Sequence, residues 1–320
     1  MKIDQINAVI LKELLTDGRK SFTHIAQLCG ESKEVIANRF RQMKNQGIIV
    51  GATIQNSCAW YDSNFVAAFQ IYTRTRKADE AVQLLKTFPN IIEVYPAGIN
   101  PNLNTVFTIK SITELEHTRQ ALKELPDALD VDTEIWVGMR NNPNNLSILN
   151  DGKPLKIEDL RANPKREDYP QIDEVDKAIL EKLVDDSRLP FSKIATELGI
   201  STDTVSKRYE RLKLNNHVRP VIRIDPIKIG YSAFALFKLS FSEDSLNSSV
   251  DALSVIPDFN FIHKVSGKHD CWASLIIKDI NQFTSAQEQI LEMENLTNME
   301  VSVSKLFCAW PLPREFISSF

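Results

Sequence analysis

Apolar residues recur at helical spacing on both sides of Gly199, within the stretch from Phe191 to Lys213. The two series are Ile194, Ala195 and Leu198 before the glycine, and Val205, Tyr209 and Leu212 after it. Ser201 stands directly before the second series, where a hydroxyl oxygen accepts a free backbone N–H of a helix N-terminus. The pattern predicts two short helices joined by a glycine-containing turn, which is a helix-turn-helix.

The same pattern occurs earlier in the chain, at the offset of 169 residues that separates Ile3 from Ile172. This offset holds without a gap over about fifty residues and pairs Gly30 with Gly199. A match of this length indicates a duplication rather than chance. We therefore interpret the chain as two related units in tandem.

The pattern after each helix-turn-helix changes to alternating strands and helices in the order βαββαβ, which is the ferredoxin-like arrangement. The sequence therefore predicts an α+β protein with two winged helix-turn-helix domains and two βαββαβ domains. The predicted segments are a winged helix-turn-helix at 1–54, a βαββαβ domain at 62–139, a linker at 140–171, a second winged helix-turn-helix at 172–224, a second βαββαβ domain at 231–308, and an aromatic C-terminal tail at 309–320.

The wing strand of each unit is predicted from β-branched runs, one after Gly47 and one at 218–224. Pro220 favours an edge position for the second strand. Each βαββαβ sheet carries its helices on one face, so we expect the two bare faces to pack together, within one chain or between chains. The aromatic residues expected at that contact are Phe65, Phe69 and Trp136 in the first unit, and Phe234, Phe261 and Trp272 in the second.

Charge is distributed unevenly in this chain of 320 residues, whose net charge is −4. The basic residues concentrate on the second helix of each helix-turn-helix: Lys33, Arg39, Arg41 and Lys44, then Lys207, Arg208, Arg211 and Lys213. Local basicity of this kind is typical of nucleic-acid binding. The alternative is a solvated helix face.

Other features of the sequence exclude several classes. No apolar run reaches the roughly 18 residues needed to cross a bilayer, and the N-terminus lacks a signal peptide, so we expect a cytoplasmic protein without a membrane partner. The four scattered cysteines predict free thiols and no metal site: Cys29, Cys58, Cys271 and Cys308. No catalytic triad, Walker loop or dinucleotide motif is present, and we expect no cofactor and no catalytic residue.

The series IATELGIS and TVSKRYERL, the segment RIDPIKIGY and the βαββαβ order together resemble the Lrp/AsnC (feast/famine) family of bacterial and archaeal transcription regulators. The resemblance extends over nearly the whole chain, twice, and is strongest at 173–225. It implies symmetric pairs of helix-turn-helix units that bind double-stranded DNA. It also implies homo-oligomers that pair through the effector-domain (RAM-type) sheets, and an amino acid or other small metabolite as effector.

The residues expected to contact DNA lie on the second helix of each unit, whose N-terminal turn enters the major groove. They are Lys33, Asn38, Arg39, Arg41 and Gln42 in the first unit, and Thr202, Ser206, Lys207, Arg208 and Arg211 in the second. Asn38 corresponds to Lys207 and Gln42 to Arg211, and these side chains recognise different bases. The sequence therefore predicts that one chain binds an asymmetric or composite operator, unless two chains pair like units with like.

The effector site is implied by a G-x-x-D motif, which family members carry near their ligand site. Gly267-Lys268-His269-Asp270 matches it, and the resemblance assigns Gly267, His269 and Asp270 to effector binding. A glycine permits close backbone approach, and a carboxylate pairs with an amino group. The first unit has Gly98-Ile99-Asn100-Pro101 and lacks the carboxylate. The alternative for 267–270 is an ordinary turn.

Two other functions remain open. Sirohaem decarboxylases share this domain order, and a tetrapyrrole enzyme requires cationic and histidine side chains, which His263, Lys264, Lys268 and His269 offer. The chain lacks the Arg/His/Tyr-Asn cluster expected of those enzymes, and its basic recognition helices favour a regulator. The first unit, in which Cys29 replaces the family's usual Leu, is also compatible with a co-regulator that does not touch DNA.

Overall fold

The computed structural model describes residues 3–57, 63, 65–73, 78–88, 90–96, 103–150, 152–153, 172–242, 245–306 and 309–311. Within these residues the first half consists of α1 (Gln5–Thr16), α2 (Phe22–Cys29), α3 (Lys33–Asn45), β1 (Ile49–Asn56), β2 (Phe65–Thr73), α4 (Ala78–Leu85), β3 (Ile91–Pro96), β4 (Leu103–Ile109), α5 (Ile112–Lys123) and β5 (Ala128–Asn141).

The second half repeats this order. It consists of α6 (Glu174–Asp185), α7 (Phe191–Leu198), α8 (Thr202–Leu214), β6 (Val218–Ile224), β7 (Ala233–Phe241), α9 (Leu246–Val255), β8 (Phe259–Ser266), β9 (Cys271–Ile277), α10 (Ile280–Leu291) and β10 (Leu296–Lys305). Each of α6, α7 and α8 begins and ends 169 residues after its counterpart in the first half. The predicted helix and strand order is confirmed in both halves.

Local chemistry explains the helix ends. The Ser201 hydroxyl accepts the Thr204 N–H at 3.0 Å and caps α8, as predicted. Gly30 and Gly199 end α2 and α7 with φ of 65° and 67°. This left-handed conformation is strained for other residues, so the turn of each helix-turn-helix requires its glycine.

The strands predicted as separate wings pair with each other. β1 and β6 form an antiparallel two-stranded ribbon in which Thr53 faces Val221 and Ile54 faces Pro220. The ribbon packs on both helix-turn-helix units, because Ile54 contacts the core of the second unit and Ile222 that of the first. Pairing satisfies backbone groups that two lone wings would leave to solvent.

Eight strands of the described residues form one sheet, in the order β10-β7-β9-β8-β5-β2-β4-β3. Each half contributes four strands, and the antiparallel β5–β8 ladder joins them, with Arg140 facing Ile262. Helices α4 and α5 cover a core around Phe69 and Phe107, and α9 and α10 cover a second core around Phe237.

The bare sheet faces also contact each other, so the expected pairing occurs within one chain. Their shared apolar cluster comprises Ala68, Leu236, Val265 and Trp272, with Trp136 and Phe234 at its margin. Three predicted contact residues are elsewhere. Phe65 and Phe69 lie on the helix-covered side of β2, and Phe261 packs on Trp310 with ring centroids 4.6 Å apart. The strand period alone did not fix which face each aromatic residue occupies.

The segment predicted as a linker, 140–171, begins inside a strand. β5 continues to Asn141, and the buried Asn145 side chain donates to the carbonyls of Ile256 and Phe259 at 2.9 and 2.8 Å. Leu146 is buried as well. The asparagine-rich composition led to the prediction of a linker. The start of this segment is packed instead, because the Asn145 amide forms hydrogen bonds within the protein. Residues 154–171 lie outside the described part.

The predicted tail begins with a buried residue. Trp310 pairs with Ile224 through backbone hydrogen bonds of 2.7 and 2.8 Å and packs into the core of the first unit. Residues 312–320 lie outside the described part. Cys29 and Cys271 are free thiols, and Cys58 and Cys308 are not among the described residues. In the described part of the chain, no helix combines the length and apolarity required to traverse a bilayer.

Candidate nucleic-acid interface

The predicted contact residues on α3 are mostly free to meet a ligand. Lys33, Asn38, Arg41 and Gln42 are exposed. Arg39 is the exception, because its guanidinium forms an ion pair with Asp4 at 2.6 Å and reaches the Asn7 amide oxygen at 3.4 Å. Arg39 therefore links α3 to the N-terminus of α1.

The arginines of α8 are engaged within the protein. Arg208 pairs with Asp173 at 2.6 Å and with Asp176 at 2.9 Å, and Arg211 pairs with the other oxygen of Asp176. Asp176 is fully buried, so its charge depends on these two partners. The hydrogen bond from Arg208 holds the pKa of Asp173 below its usual value. The two arginines thus join α8 to α6.

The remaining predicted residues of α8 are accessible. Thr202 and Lys207 are exposed and Ser206 is half-buried. Lys207 pairs with Asp203 one turn earlier, at 2.8 Å, and both groups are exposed. Such a pair is weak and can exchange for a phosphate. Contact of these residues with DNA stays a prediction.

Two arginines hold the helix-turn-helix units together. The Arg19 guanidinium donates to the carbonyls of Ser187 and Leu189 at 2.6 and 3.0 Å and lies 4.1 Å from the Phe191 ring centroid. Its counterpart makes the reciprocal contact. Arg188 donates to the Gly18 carbonyl and lies 5.0 Å from the Phe22 ring.

This reciprocal contact was not assigned from the sequence, although the 169-residue offset pairs Arg19 with Arg188. Burial lowers the pKa of both guanidinium groups, and each carbonyl and aromatic contact offsets part of the lost hydration. A further ion pair joins Lys213 of α8 to Asp17 after α1, at 2.7 Å. The two recognition helices therefore belong to one fixed pair.

The predicted effector residues lie in the β8–β9 loop, against the first half. His269 is 2% exposed, and its Nδ1 is 2.5 Å from Glu134 Oε1 on β5. Gly267 is required there, since a Cβ would stand 2.8 Å from Glu134 Cγ. Asp270 instead accepts the Phe241 N–H at 2.8 Å, which stabilises the loop. Glu134 was not predicted as part of this site, because it is a carboxylate inside a predicted strand.

Further polar groups cross the contact between the halves. Lys238 is buried, donates to Gln70 and lies 4.6 Å from the Trp272 ring centroid, and burial lowers its pKa. Within the first half, the Tyr72 hydroxyl on β2 donates to Asp132 on β5 at 2.8 Å. Within the described residues, no three His, Cys, Asp or Glu side chains form a group suited to a metal ion.

The side chains considered for a tetrapyrrole site have other partners. His263 stacks on Trp136 with centroids 3.9 Å apart, and burial lowers its pKa to about 3, so its ring is neutral at neutral pH. Lys264 donates to Asn247 at 2.5 Å. Lys268 pairs with Glu300 at 2.9 Å. Lys268 and His269 meet at the Glu300 carboxylate, whereas His263 and Lys264 have separate partners, so the four groups do not form one cationic site.

The helix-turn-helix geometry has known counterparts. The profile of the AsnC-type helix-turn-helix domain matches residues 172–213, which contain α6, α7 and most of α8. The HTH-type transcriptional regulator LrpA of Pyrococcus horikoshii is 36% identical over 112 residues, which make up 34% of this chain and 77% of that regulator. The chain belongs to the Lrp/AsnC family.

Other relatives of this Lrp/AsnC chain bear on its organisation. An uncharacterised HTH-type transcriptional regulator of Pyrococcus abyssi is 26% identical over 148 residues, which cover 46% of this chain and 94% of the relative. The relative therefore has about half the length of the chain. A solved sirohaem decarboxylase, NirDL, covers 99% of this chain with 94% of its own, at a TM-score of 0.63 and 16% identity. That likeness shows the fold alone.

Proposed function

We propose that this Lrp/AsnC chain is a DNA-binding transcription regulator. The observation that carries the proposal is the fixed pair of helix-turn-helix units, each with an exposed polar recognition helix. The related chains named as HTH-type transcriptional regulators support it. A pair of recognition helices held in one frame is the arrangement that reads two successive major grooves.

We further propose that the two halves arose by tandem duplication. The shared offset of their helices supports this origin, and so does the relative that is about half as long. One chain would then supply both helix-turn-helix units of a pair, which in a half-length relative would require two subunits. Association of several chains is a separate proposal, and sedimentation of the purified protein tests it.

The operator is proposed to be asymmetric. Asn38 pairs with adenine more readily than with guanine, whereas its counterpart Lys207 favours guanine or phosphate. Lys33 and Thr202, at the first position of each recognition helix, differ in charge. Arg211 is held by Asp176, so its difference from Gln42 affects the helix-turn-helix core as well as the groove.

We also propose a small-metabolite effector site at the contact between Glu134 and His269. Glu134 Oε2 is buried and accepts no hydrogen bond from the described residues, while His269 Nε2 lies 3.5 Å from Glu300 Oε2, so the contact between the halves has an unsatisfied acceptor. A ligand with an amino group would bind the carboxylate and alter that contact. Thermal unfolding of wild type and Glu134→Gln with each amino acid tests this. A stabilisation seen only in wild type is expected.

An enzymatic function is not proposed, because the groups that a tetrapyrrole requires are engaged elsewhere. The discriminating experiment titrates duplex DNA and sirohaem separately into the full chain, following anisotropy and absorbance. We expect DNA binding that weakens steeply with salt, through counterion release. Absence of DNA binding at micromolar protein in low salt, together with saturable tetrapyrrole binding, would favour the enzyme.

A further inference from the structure

Lys33, Arg41 and Lys44 form a cationic surface on α3. All three side chains are exposed, and none forms an ion pair with another described residue. At 3.6 residues per turn their spacings place them within about 80° of the helix circumference. We call this surface the α3 cationic face.

The counterparts of these residues on α8 carry no comparable charge. Thr202 replaces Lys33, Glu210 replaces Arg41, and Lys213 is paired with Asp17 of the other unit. Compared with α3, the positive charge is absent at Thr202, reversed at Glu210 and neutralised by the ion pair at Lys213. The two recognition helices present different potentials to a polyanion.

Helix stability does not account for Lys33. It is the first residue of α3, where the exposed backbone N–H groups and the helix dipole disfavour a cation. The corresponding position of α8 is the neutral Thr202, whereas the next position is acidic in both helices, with Glu34 in α3 and Asp203 in α8. A cation held at an unfavourable end, beside two others on the same face, indicates a negatively charged ligand.

We propose that the α3 cationic face supplies most of the phosphate contacts of the protein, and that the second unit contributes mainly to base recognition. This inference rests on the proposed DNA-binding function and extends it, because phosphate contacts carry most of the sequence-independent affinity. The first unit would then dominate binding to arbitrary DNA, although the AsnC-type profile matches the second.

The test compares two triple variants of the full chain on duplex DNA of arbitrary sequence. One variant is Lys33→Gln/Arg41→Gln/Lys44→Gln. The other removes three lysines of the second unit, Lys193→Gln/Lys207→Gln/Lys213→Gln. Affinity is measured between about 50 and 200 mM salt, because each phosphate contact adds about 0.9 to the slope of log affinity against log salt. Equal melting temperatures of both variants and wild type establish that the fold is intact.

The first variant is expected to lower that slope by two to three units and to weaken binding on the order of 100-fold at the lowest salt. The second is expected to lower the slope by less than about one unit. An equal or larger effect of the second variant would overturn the inference and leave DNA binding intact. Failure of the wild-type protein to bind DNA at low salt would overturn the proposed function itself, and the inference with it.

A single exchange provides the converse test. Glu210→Arg gives α8 the residue that α3 has at this position. It is expected to raise affinity for arbitrary DNA and to steepen the salt slope by about one unit, whereas Arg41→Glu has the opposite effect. Unchanged affinity in both exchange variants would place neither position near phosphate and would overturn the inference.

Discussion

The two helix-turn-helix units have the same helices, but they differ in the polar group between their first and third helices. In the second unit the buried Asp176 binds Arg208 and Arg211. In the first, Asn7 and Gln42 stand at the positions of Asp176 and Arg211. Both charges are absent together, so neither is left buried without a partner, which would be strongly destabilising.

This difference has a consequence for the surface. The second unit uses its arginines to hold its own helices, and its exposed Lys207 is paired with Asp203. The first unit has one such clamp, between Arg39 and Asp4, and leaves the α3 cationic face free. The chain thus contains one helix-turn-helix unit whose charged side chains hold its own helices together and another whose charged side chains face solvent.

The largest expected effect comes from removing the buried carboxylate. Asp176→Ala should lower the free energy of unfolding by about 3 kcal/mol, because two arginines lose their shared partner. Asn7→Ala, the same change in the first unit, should cost about 1 kcal/mol, because only a weak amide contact is lost. Urea unfolding followed by circular dichroism measures both. Equal losses of unfolding free energy in the two variants would show that Asp176 and its arginines stabilise their unit no more than Asn7 stabilises the other.

Alanine substitutions at the two equivalent positions that contact the β1–β6 ribbon, Gly18 and Ser187, should lower the free energy of unfolding by unequal amounts. A Cβ at Gly18 would lie 2.7 Å from the backbone carbon of Val221. Gly18→Ala should therefore cost about 2 kcal/mol of unfolding free energy. Ser187, its counterpart, already has a side chain, and Ser187→Ala should cost less than about 1 kcal/mol.

A control separates backbone overlap from side-chain overlap at this position. Val221→Ala should not restore the stability of the Gly18→Ala protein, because the overlapping atoms belong to the backbone. Full restoration in the double variant would show that the Val221 side chain causes the conflict.

The reciprocal arginines, Arg19 and Arg188, should also differ in how much they contribute to the free energy of unfolding. Arg19 donates two hydrogen bonds and stacks closer to its ring than Arg188 does. Arg19→Ala should lower the unfolding free energy by about 2 kcal/mol and Arg188→Ala by about 1 kcal/mol. Thermal unfolding of the two variants measures the difference. A larger loss for Arg188→Ala would reverse the order of the two contacts.

The smallest effect concerns a feature that the units share. The Arg208 hydrogen bond lowers the pKa of Asp173. Partial burial raises the pKa of Asp4, but the Asn7 amide and Arg39 outweigh it, and the net pKa is lowered. A carboxylate with a lowered folded-state pKa contributes stability above its unfolded pKa near 4, and that contribution disappears as the pH falls further.

Arg39→Gln and Arg208→Gln remove the arginine partners of Asp4 and Asp173. Both variants should therefore lose less stability than wild type as the pH falls below about 4, and to a similar extent. Each change should amount to less than about 1 kcal/mol, since the carboxylates are partly exposed. Acid unfolding curves of the two variants and wild type measure it. A steeper acid limb in either variant would contradict the assigned direction of the pKa shifts.

The sequence predicted the features that depend on local patterns. Apolar spacing, the glycine turn and the Ser201 cap located α7 and α8, because these signals lie within one or two helical turns, and the 169-residue offset located α2 and α3. The β1–β6 ribbon and the β5–β8 ladder were not predicted, since the partner of a strand edge is set by residues far away in the chain. Asn145 was missed for the same reason, because its amide bonds to distant carbonyls.

Charge in the sequence also did not show which cations have partners. Arg39, Arg208 and Arg211 look like surface residues in a helical pattern, and only the packing of α3 on α1 and of α8 on α6 brings carboxylates to them. Glu134 was missed because a lone carboxylate in a strand has no distinguishing spacing. Its partner His269 comes from the other half of the chain.

The most direct test of two unlike DNA-binding units is selection of binding sites from random duplexes with the intact chain. We predict recovery of a composite site with two different half-sites, because Asn38 and Lys207 present different groups to the bases. In the selection with Asn38→Ala, only one half-site should lose its sequence preference. Recovery of perfect palindromes with a single half-site would contradict the difference between the units as a determinant of recognition.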